Sequence, residues 1–321
     1  IMANIIDYIK WRGDLSFDVS PFNELDNAVF SLFSYLDLKD LQKEINSIGI
    51  SLSDVCRYLI THDYHYGYMN KITTDFLNTL ANSERFGKVI IVDYIDLYHK
   101  KKYQFSSTGF LYDDSQMYIA FRGTDNSIVA WKEDFMMSFS VIPAQKFALS
   151  FLKKVILKHP NTDFIVGGHS KGGNLAIYSC AMCEKEFQDR ITTIYNNDGP
   201  DLCEEVINTD VMKTIEDRIV KIVPDFCIVG MIFNNTKNIK VVKADNPAFL
   251  QHDILNWNCI GTNFEYVDDV SKNANRFNSL IDKVLENTDL SKRKEYVNNF
   301  FDKIIDSGTT RLPWGENNPT T

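Results

Sequence analysis

The chain has 321 residues, of which 44% are hydrophobic, and it carries a formal net charge of −9 at pH 7. This length and composition predict one or two domains with a large buried core. The acidic balance argues against a nucleic-acid partner, because phosphates would be repelled. The sequence has no apolar run of transmembrane length and no polybasic patch for anionic membranes.

Six cysteines are spread along the chain without the spacing of a disulfide framework, and this usage fits a reducing compartment. The first residues show neither a basic segment nor a small-residue cleavage site, so no signal peptide is predicted. We therefore expect a soluble cytoplasmic protein.

Residues 1–85 are predicted to be mostly helical. In residues 23–36 the apolar positions recur at helical spacing, and Asn23 is the predicted N-cap. His62 and His65 have a spacing that could hold a metal on a helix, but no acidic or cysteine ligands converge on them. We interpret them as surface or core-edge histidines, and we expect a helical N-terminal segment packed on the core, with no metal.

Hydrophobic residues alternate with polar ones from about residue 89. The alternation predicts strands over residues 89–98, 103–112 and 117–121, and the short turns between them favour antiparallel pairing. Farther along, strands alternate with helices, which is typical of a parallel sheet with helices on both faces. The predicted fold class is α/β, with a mostly parallel central sheet that starts antiparallel.

The second half of the chain continues the alternation of strands and helices. The predicted elements are a helix at 143–157, strands at 191–195, 218–223 and 238–243, a polar helix at about 202–216, and C-terminal helices that cover the sheet from about 264. The final residues are rich in proline, glycine and asparagine and are expected to fray. We divide the chain into a helical N-terminal segment (1–85), a core with C-terminal helices (86–310) and a flexible tail (311–321).

Residues 163–176 carry the strongest motif in the sequence. An apolar run leads into Gly168-His-Ser-Lys-Gly172 and then into an apolar helix, which matches G-x-S-x-G in a strand–turn–helix context. A sharp turn of this kind holds the serine in strained backbone geometry and lifts its hydroxyl above the helix N-terminus. Ser170 is therefore the predicted nucleophile.

A serine hydroxyl needs a base to accept its proton and a carboxylate to orient that base. His252 is the one histidine downstream of Ser170, and it follows the last predicted strand, so it is the predicted base. For the acid, the chain order serine, acid, histidine and a position directly after a strand favour two candidates. Asp225, after the second strand beyond the serine, is preferred on strand order, and Asp198, after the first, is the alternative acid or a turn residue.

Acyl transfer also needs hydrogen-bond donors aimed at the developing oxyanion. One predicted donor is the backbone N–H of Lys171, the residue after the serine. The other is Thr124, in the loop after an earlier strand, through its N–H and its hydroxyl. Arg122 beside it is interpreted as a structural partner of a carboxylate.

These motifs together resemble the class-3 lipases, the fungal-lipase-like branch of the α/β-hydrolases. Ala120-Phe-Arg-Gly-Thr124 is similar to the strand and oxyanion loop of that family, Trp131-Lys-Glu-Asp134 to the W-x-x-D that follows, and Gly168-His-Ser-Lys-Gly-Gly173 to the elbow. Two positions depart from the lipase pattern. Pro224 precedes the preferred acid where lipases have D-x-V-P, and Lys171 stands where lipase elbows usually carry leucine.

A closer resemblance extends over about residues 2–260. The motif Asn23-Glu-Leu-Asp26, with Leu32-Phe-Ser-Tyr-Leu36 and residues 228–231, looks like a bacterial domain family of unknown function that is related to those lipases. The resemblance implies an α/β-hydrolase fold with Ser170, His252 and Thr124 in the roles described above.

Two apolar segments are candidates for an acyl-binding pocket. Residues 126–143 correspond to the place where lipases carry a lid, and they contain Trp131, Met136 and Met137. The second segment begins at Phe226, beside the preferred acid. Packing in the core is the alternative interpretation of both segments.

The predicted function is cleavage of carboxylic esters of short to medium acyl chains through an acyl-enzyme. The substrate is expected to be a small-molecule ester or lipid, with transient lipid contact, no metal and no cofactor. Thioester hydrolysis, phospholipid hydrolysis and acyl transfer by the same residues remain alternatives. A catalytically idle binding protein on a hydrolase scaffold is the alternative outside the enzymes, and the sequence leaves the oligomeric state open.

Overall fold

The computed structural model describes residues 3–62, 72–125, 127–246 and 248–307. His65, Asn126 and the tail at 311–321 lie outside the described residues. The division of the chain near residue 85 stays a prediction.

The N-terminal part of the chain is helical, as predicted. Its elements are α1 (Ile5–Arg12), α2 (Glu24–Phe33), α3 (Gln42–Ile48), the short strand β1 (Ile50–Ser51), α4 (Leu52–Thr61), α5 (Thr74–Ala81) and α6 (Glu84–Gly87). The central helix, α2, is buried along nearly its whole length. It therefore forms part of the core instead of a surface layer.

The start of α2 confirms the predicted N-cap. The Asn23 side chain accepts hydrogen bonds from the backbone N–H groups of Leu25 (2.8 Å) and Asp26 (3.2 Å), and the Asp26 carboxylate accepts one from the Asn23 N–H (2.8 Å). Such caps contribute about 1 kcal/mol to helix stability. The Asp26 carboxylate also binds the buried guanidinium of Arg85 at 2.6 Å, which ties α6 to α2.

The central sheet confirms the predicted α/β class. The further strands are β2 (Ile90–His99), β3 (Tyr103–Asp113), β4 (Gln116–Phe121), β5 (Asp163–His169), β6 (Ile191–Asn197), β7 (Ile219–Pro224), β8 (Ile239–Val242), β9 (Cys259–Ile260), β10 (Asn263–Phe264) and β11 (Tyr266–Val267). Within the described residues the main sheet has the order β1-β2-β3-β4-β5-β6-β7-β8-β11. Pairing is antiparallel from β1 to β4 and parallel from β4 to β8, and β11 adds an antiparallel edge that was not predicted.

Helices cover both faces of this sheet. The remaining helices are α7 (Ile128–Met136), α8 (Pro143–Lys158), α9 (Lys171–Met182), α10 (Lys185–Gln188), α11 (Lys272–Glu286) and α12 (Leu290–Asp306). Successive side chains of a strand point to opposite faces. On β4, Tyr118 and Ala120 accordingly join the core formed with the N-terminal helices, whereas Met117 and Ile119 join the core formed with α8 and α9.

The polar helix predicted at about 202–216 is not present as an α-helix. The segment instead forms two short 3₁₀ turns, Thr209–Thr214 and Glu216–Arg218. Several of its residues are β-branched, which lowers helix propensity. The Asp201 carboxylate also accepts hydrogen bonds from the backbone N–H groups of Asn235 and Thr236, which holds the start of the segment in a loop.

The last helix, α12, packs differently from the prediction that the C-terminal helices cover the sheet. The main contact of α12 is with α7, where Lys132 binds Asp302 at 2.6 Å and the Phe135 and Phe301 rings lie 5.6 Å apart. Over the described ranges, no helix combines the length and the apolar character needed to cross a membrane.

Candidate active site

Ser170 lies at the turn between β5 and α9 and has the strained geometry that the motif predicts. Its φ is 57° and its ψ is −128°, a region that side-chain-bearing residues seldom adopt. The strand and helix meet backbone to backbone. A Cβ on Gly168 would come within 2.5 Å of the Gly172 backbone, and one on Gly172 within 2.1 Å of the Phe121 carbonyl oxygen. Only glycine fits at these two positions.

His252 faces the carboxylate of Asp198. Its Nδ1 lies 2.6 Å from Asp198 Oδ2, and the carboxylate is buried at the carboxyl end of β6. The other oxygen, Oδ1, accepts hydrogen bonds from the Cys227 thiol (2.9 Å) and the Gly230 backbone N–H (3.1 Å). An imidazole nitrogen beside a carboxylate carries the proton, which leaves the second ring nitrogen free to act as a base.

Asp225, the preferred acid, does not reach His252. Its backbone N–H donates to Val242 O (2.8 Å), and its carbonyl accepts from Ser271 N (2.6 Å). Its carboxylate forms no hydrogen bond to His252, and its buried Oδ1 has no partner within the described part of the chain. In the sheet order β5-β6-β7, Asp198 follows the strand adjacent to the serine strand, whereas Asp225 follows the next one. The carboxylate that contacts His252 is therefore that of the alternative candidate, Asp198, and not that of the preferred Asp225.

Ser170 and His252 line one cavity of about 250 Å³. Its wall is mostly apolar and includes Trp131, Phe135, Met137, Pro200, Val229, Ile232 and Phe233, together with Tyr35. Among the described residues, no hydrogen bond joins the Ser170 hydroxyl to His252. Such contacts are often long in unliganded sites and shorten when substrate binds.

Of the four residues that were predicted to line an acyl pocket, two lie in the wall of this cavity. Trp131 and Met137 line the cavity. Met136, on the other hand, packs against the core around α8 and α9, and Phe226 is not part of the cavity wall, which corrects both predictions. Because adjacent residues of a helix point in different directions, the end of α7 can turn only some of its side chains to the site. Tyr35 lies within the motif Leu32-Phe-Ser-Tyr-Leu36, but the sequence did not indicate that it lines the site, because it is far along the chain from Ser170 and His252.

The two predicted oxyanion donors lie on this cavity as well. The Thr124 hydroxyl donates to the Asp134 carboxylate, so its proton is already engaged by another side chain of the cavity wall. The backbone N–H of Thr124 has no partner in the described part of the chain, and the helix start leaves the Lys171 N–H without an intrahelical acceptor. The backbone N–H groups of both residues are therefore the available donors.

Comparison with models of protein families assigns the chain to a family. Residues 80–302 match the model of the Mbeg1-like family. The chain belongs to the Mbeg1-like family. A comparison with curated proteins finds no significant match.

Solved structures similar to this Mbeg1-like chain include proteins from Rhizomucor miehei, Rhizopus niveus and Penicillium cyclopium. The native Rhizomucor miehei lipase propeptide complex has 15% identity and a TM-score of 0.40, with 68% of this chain and 67% of that chain covered. Lipase II from Rhizopus niveus has 14% identity and a TM-score of 0.40, with 88% and 94% covered. A mutant of MDLA from Penicillium cyclopium has 11% identity and a TM-score of 0.42, with 75% and 83% covered.

The buried lysine of the Mbeg1-like elbow has its charge paired. Lys171 Nζ binds Glu133 Oε2 (3.2 Å), Gln104 Oε1 (2.9 Å) and Gln104 O (3.1 Å), and both charged side chains are buried. The lysine charge is thereby satisfied under the elbow. Arg122 pairs with Asp96 at 2.9 Å, in agreement with the structural role predicted for it.

Asp134 gives the site a pH-dependent stability. Burial raises the pKa of this carboxyl from 3.8 to about 6, although the Lys171 charge and the Thr124 hydroxyl oppose the shift. Between these two pH values the folded protein holds a proton that the unfolded chain has released. The contribution of Asp134 to the free energy of unfolding is therefore full below about pH 4 and is lost as the pH rises to about 6.

We expect Asp134→Asn to gain stability relative to the parent protein as the pH rises, because asparagine carries no charge to bury. The gain between pH 4.5 and pH 7.5 should reach up to about 2 kcal/mol, since one pKa unit corresponds to about 1.4 kcal/mol. Urea unfolding at both pH values measures it. The control Asp217→Asn changes an exposed carboxylate and should show no comparable gain. The prediction would be contradicted if the free energy of unfolding of Asp134→Asn differed from that of the parent by the same amount at both pH values.

Proposed function

We propose that this protein is a serine hydrolase that cleaves carboxylic esters through an acyl-enzyme, with Ser170 as nucleophile and His252 as base. The main support is the 2.6 Å contact between His252 Nδ1 and Asp198, on a histidine that shares an apolar cavity with Ser170. A serine at a strained turn and an acid-oriented histidine are the groups that acyl transfer requires.

In the proposed mechanism, the Ser170 hydroxyl oxygen attacks the ester carbonyl while His252 Nε2 takes the hydroxyl proton. Asp198 keeps the histidine in the required tautomer and balances the charge of the imidazolium. The backbone N–H groups of Thr124 and Lys171 donate to the oxyanion. His252 then returns the proton to the leaving alcohol. A water molecule, activated by the same histidine, cleaves the acyl-enzyme and regenerates the serine.

We propose that the cavity binds the acyl chain of the substrate, and its size favours a chain of short to medium length. Its volume of about 250 Å³ and its wall of aromatic and aliphatic side chains suit an alkyl chain. Burial of one methylene contributes about 0.8 kcal/mol, which corresponds to a roughly four-fold gain in kcat/KM for each carbon that is added. The gain should stop once the cavity is filled.

A p-nitrophenyl ester series from acetate to laurate tests this proposal. We expect an initial burst of one p-nitrophenol molecule per protein molecule. We also expect kcat/KM to rise with the length of the acyl chain up to a medium length. Mass spectrometry of the trapped intermediate should place the acyl group on the peptide that contains Ser170. Binding of esters without turnover, and without labelling by a fluorophosphonate probe, would favour an idle scaffold instead.

We further propose a cytoplasmic location, as predicted from the sequence. All six cysteines lie within the described ranges and are buried free thiols, which supports a reducing compartment. The small-molecule ester or lipid remains the proposed partner.

A further inference from the structure

Three polar residues, two of them in α2, lie along one side of this helix and of the turn that follows it. Asn27 and Ser31 are one turn apart on the helix, and Tyr35 follows in the turn that ends it. Residues at this spacing share a face. All three are buried, and a buried polar group destabilises the fold unless it is hydrogen-bonded. We call these residues the α2 polar face.

The first two members of the α2 polar face hold Asn197, the residue before Asp198. Asn27 and Asn197 exchange two amide hydrogen bonds of 2.8 and 2.9 Å, and Asn197 Nδ2 lies 3.0 Å from Ser31 Oγ. The same amide nitrogen donates to the Gly168 carbonyl oxygen at 3.1 Å. The carboxyl ends of β5 and β6 are thereby fixed to α2 and to each other.

The third member, Tyr35, holds His169, the residue before Ser170. His169 Nε2 lies 2.7 Å from the backbone carbonyl oxygen of His252, which can only accept, so Nε2 carries the proton. Burial lowers the pKa of His169 well below its usual 6.5, so the ring is neutral and its Nδ1 is an acceptor. The Tyr35 hydroxyl, 2.8 Å away, therefore donates to Nδ1.

The α2 polar face thus contacts Asn197 and His169, the residues that precede Asp198 and Ser170. Through His169 it also reaches the backbone of His252. Ser170 and Asp198 have φ values of 57° and 50°. Such strained residues persist only where the surrounding structure constrains them. The residue directly before each of them is held by a buried hydrogen bond from α2, and the chain from Tyr35 through His169 also ends on the His252 backbone. These contacts supply that constraint.

We propose that the α2 polar face is a positioning element for the active site, through which the N-terminal helical segment sets the geometry of Ser170, Asp198 and His252. This inference rests on the function proposed above. It gives α2 a role in turnover beyond packing on the sheet. The role is indirect, because Asn27 and Ser31 act through Asn197, and the Tyr35 hydroxyl acts through His169.

The test is Tyr35→Phe, which removes one hydroxyl and keeps the ring that lines the cavity. We expect kcat for a p-nitrophenyl ester to fall about ten-fold with little change in KM, because small displacements of reacting groups are costly to the rate while the binding wall is intact. The rate of fluorophosphonate labelling should fall by the same factor. Ser31→Ala, which loosens Asn197 instead, should lower kcat in the same direction.

The matched control is Tyr8→Phe. Tyr8 is as buried as Tyr35, and its hydroxyl bonds to Asp26 (2.8 Å) and Asn23 (2.9 Å), away from the cavity. Both variants lose a buried hydroxyl, so both should lose similar stability in urea unfolding, yet kcat should fall only in Tyr35→Phe. Equal kcat values in the two variants would overturn the proposal.

Histidine NMR provides a readout that does not require turnover. The His169 Nε2 proton should be protected from solvent exchange in the parent protein and in Tyr8→Phe, and it should exchange faster in Tyr35→Phe. If no ester is cleaved and no probe reacts, the proposed function fails, while faster exchange in Tyr35→Phe still supports the positioning contact. Unchanged exchange in Tyr35→Phe would overturn the positioning proposal, whether or not the parent protein turns over esters.

Discussion

Replacement of Ser170 by alanine should lower kcat for a p-nitrophenyl ester by at least about 10⁴-fold, because loss of the nucleophile removes the acyl-enzyme route. Labelling by a fluorophosphonate probe should disappear. Alanine keeps a Cβ at the strained φ of 57°, so the backbone cost is unchanged and the variant should fold with a similar unfolding midpoint. Steady-state kinetics, probe labelling and urea unfolding measure the three outcomes.

The control for Ser170→Ala is Ser179→Ala, on the same helix. Ser179 is fully buried, and its hydroxyl donates to the Ala176 carbonyl oxygen at 3.2 Å. This change also removes one buried serine hydroxyl, but it should leave kcat within about two-fold of the parent value, because surface and core changes outside a site act mainly on stability. If Ser170→Ala kept more than a few per cent of the parent activity, another residue would have to be the nucleophile.

Asp198→Asn should lower kcat by about 10⁴-fold, whereas Asp225→Asn should leave it within about three-fold. Asparagine keeps the shape of the side chain but presents His252 with an amide, which favours the wrong tautomer of a histidine base. Asp225 forms no hydrogen bond or ion pair with His252 among the described residues. The comparison is sharp because the two variants make the same chemical change at the ends of neighbouring strands.

A loss of kcat in Asp198→Asn could come from the changed histidine tautomer or from a destabilised fold, and unfolding experiments separate these two causes. Asp198 Oδ1 accepts from the Cys227 thiol and the Gly230 N–H, and the carbonyl oxygen of asparagine can accept the same bonds. Stability should therefore change less than the rate does. A large loss of kcat in Asp225→Asn, with Asp198→Asn nearly as active as the parent, would return the acid role to Asp225.

The parts of the site that depend on local sequence could be predicted. The elbow around Ser170 is set by two glycines and a strand–turn–helix pattern, and the N-cap at Asn23 by one side chain and the next turn. The choice of acid depends instead on where the loop that carries His252 folds back over the sheet. That contact spans 54 residues of sequence, and strand counting does not determine it.

The motif that contains Tyr35, Leu32-Phe-Ser-Tyr-Leu36, did not indicate a role at the site, but the sequence did hold a weaker signal. Asn27 and Ser31 recur at helical spacing within a run that is otherwise apolar, and polar residues on a buried helix face require partners. The identity of those partners, Asn197 and His169, depends on tertiary packing. For the same reason Met137 could not be distinguished from Met136 as a cavity residue.

The position of α2 also determines how this protein should be divided for expression. The family match begins at residue 80, yet one face of the sheet is covered by helices that precede that residue. The Phe30 ring stacks on Phe110 at 4.5 Å and lies 5.4 Å from Tyr118. A fragment that started at residue 80 would expose this aromatic surface to water and would tend to aggregate. We therefore expect the smallest piece that folds stably to be longer than the matched residues 80–302.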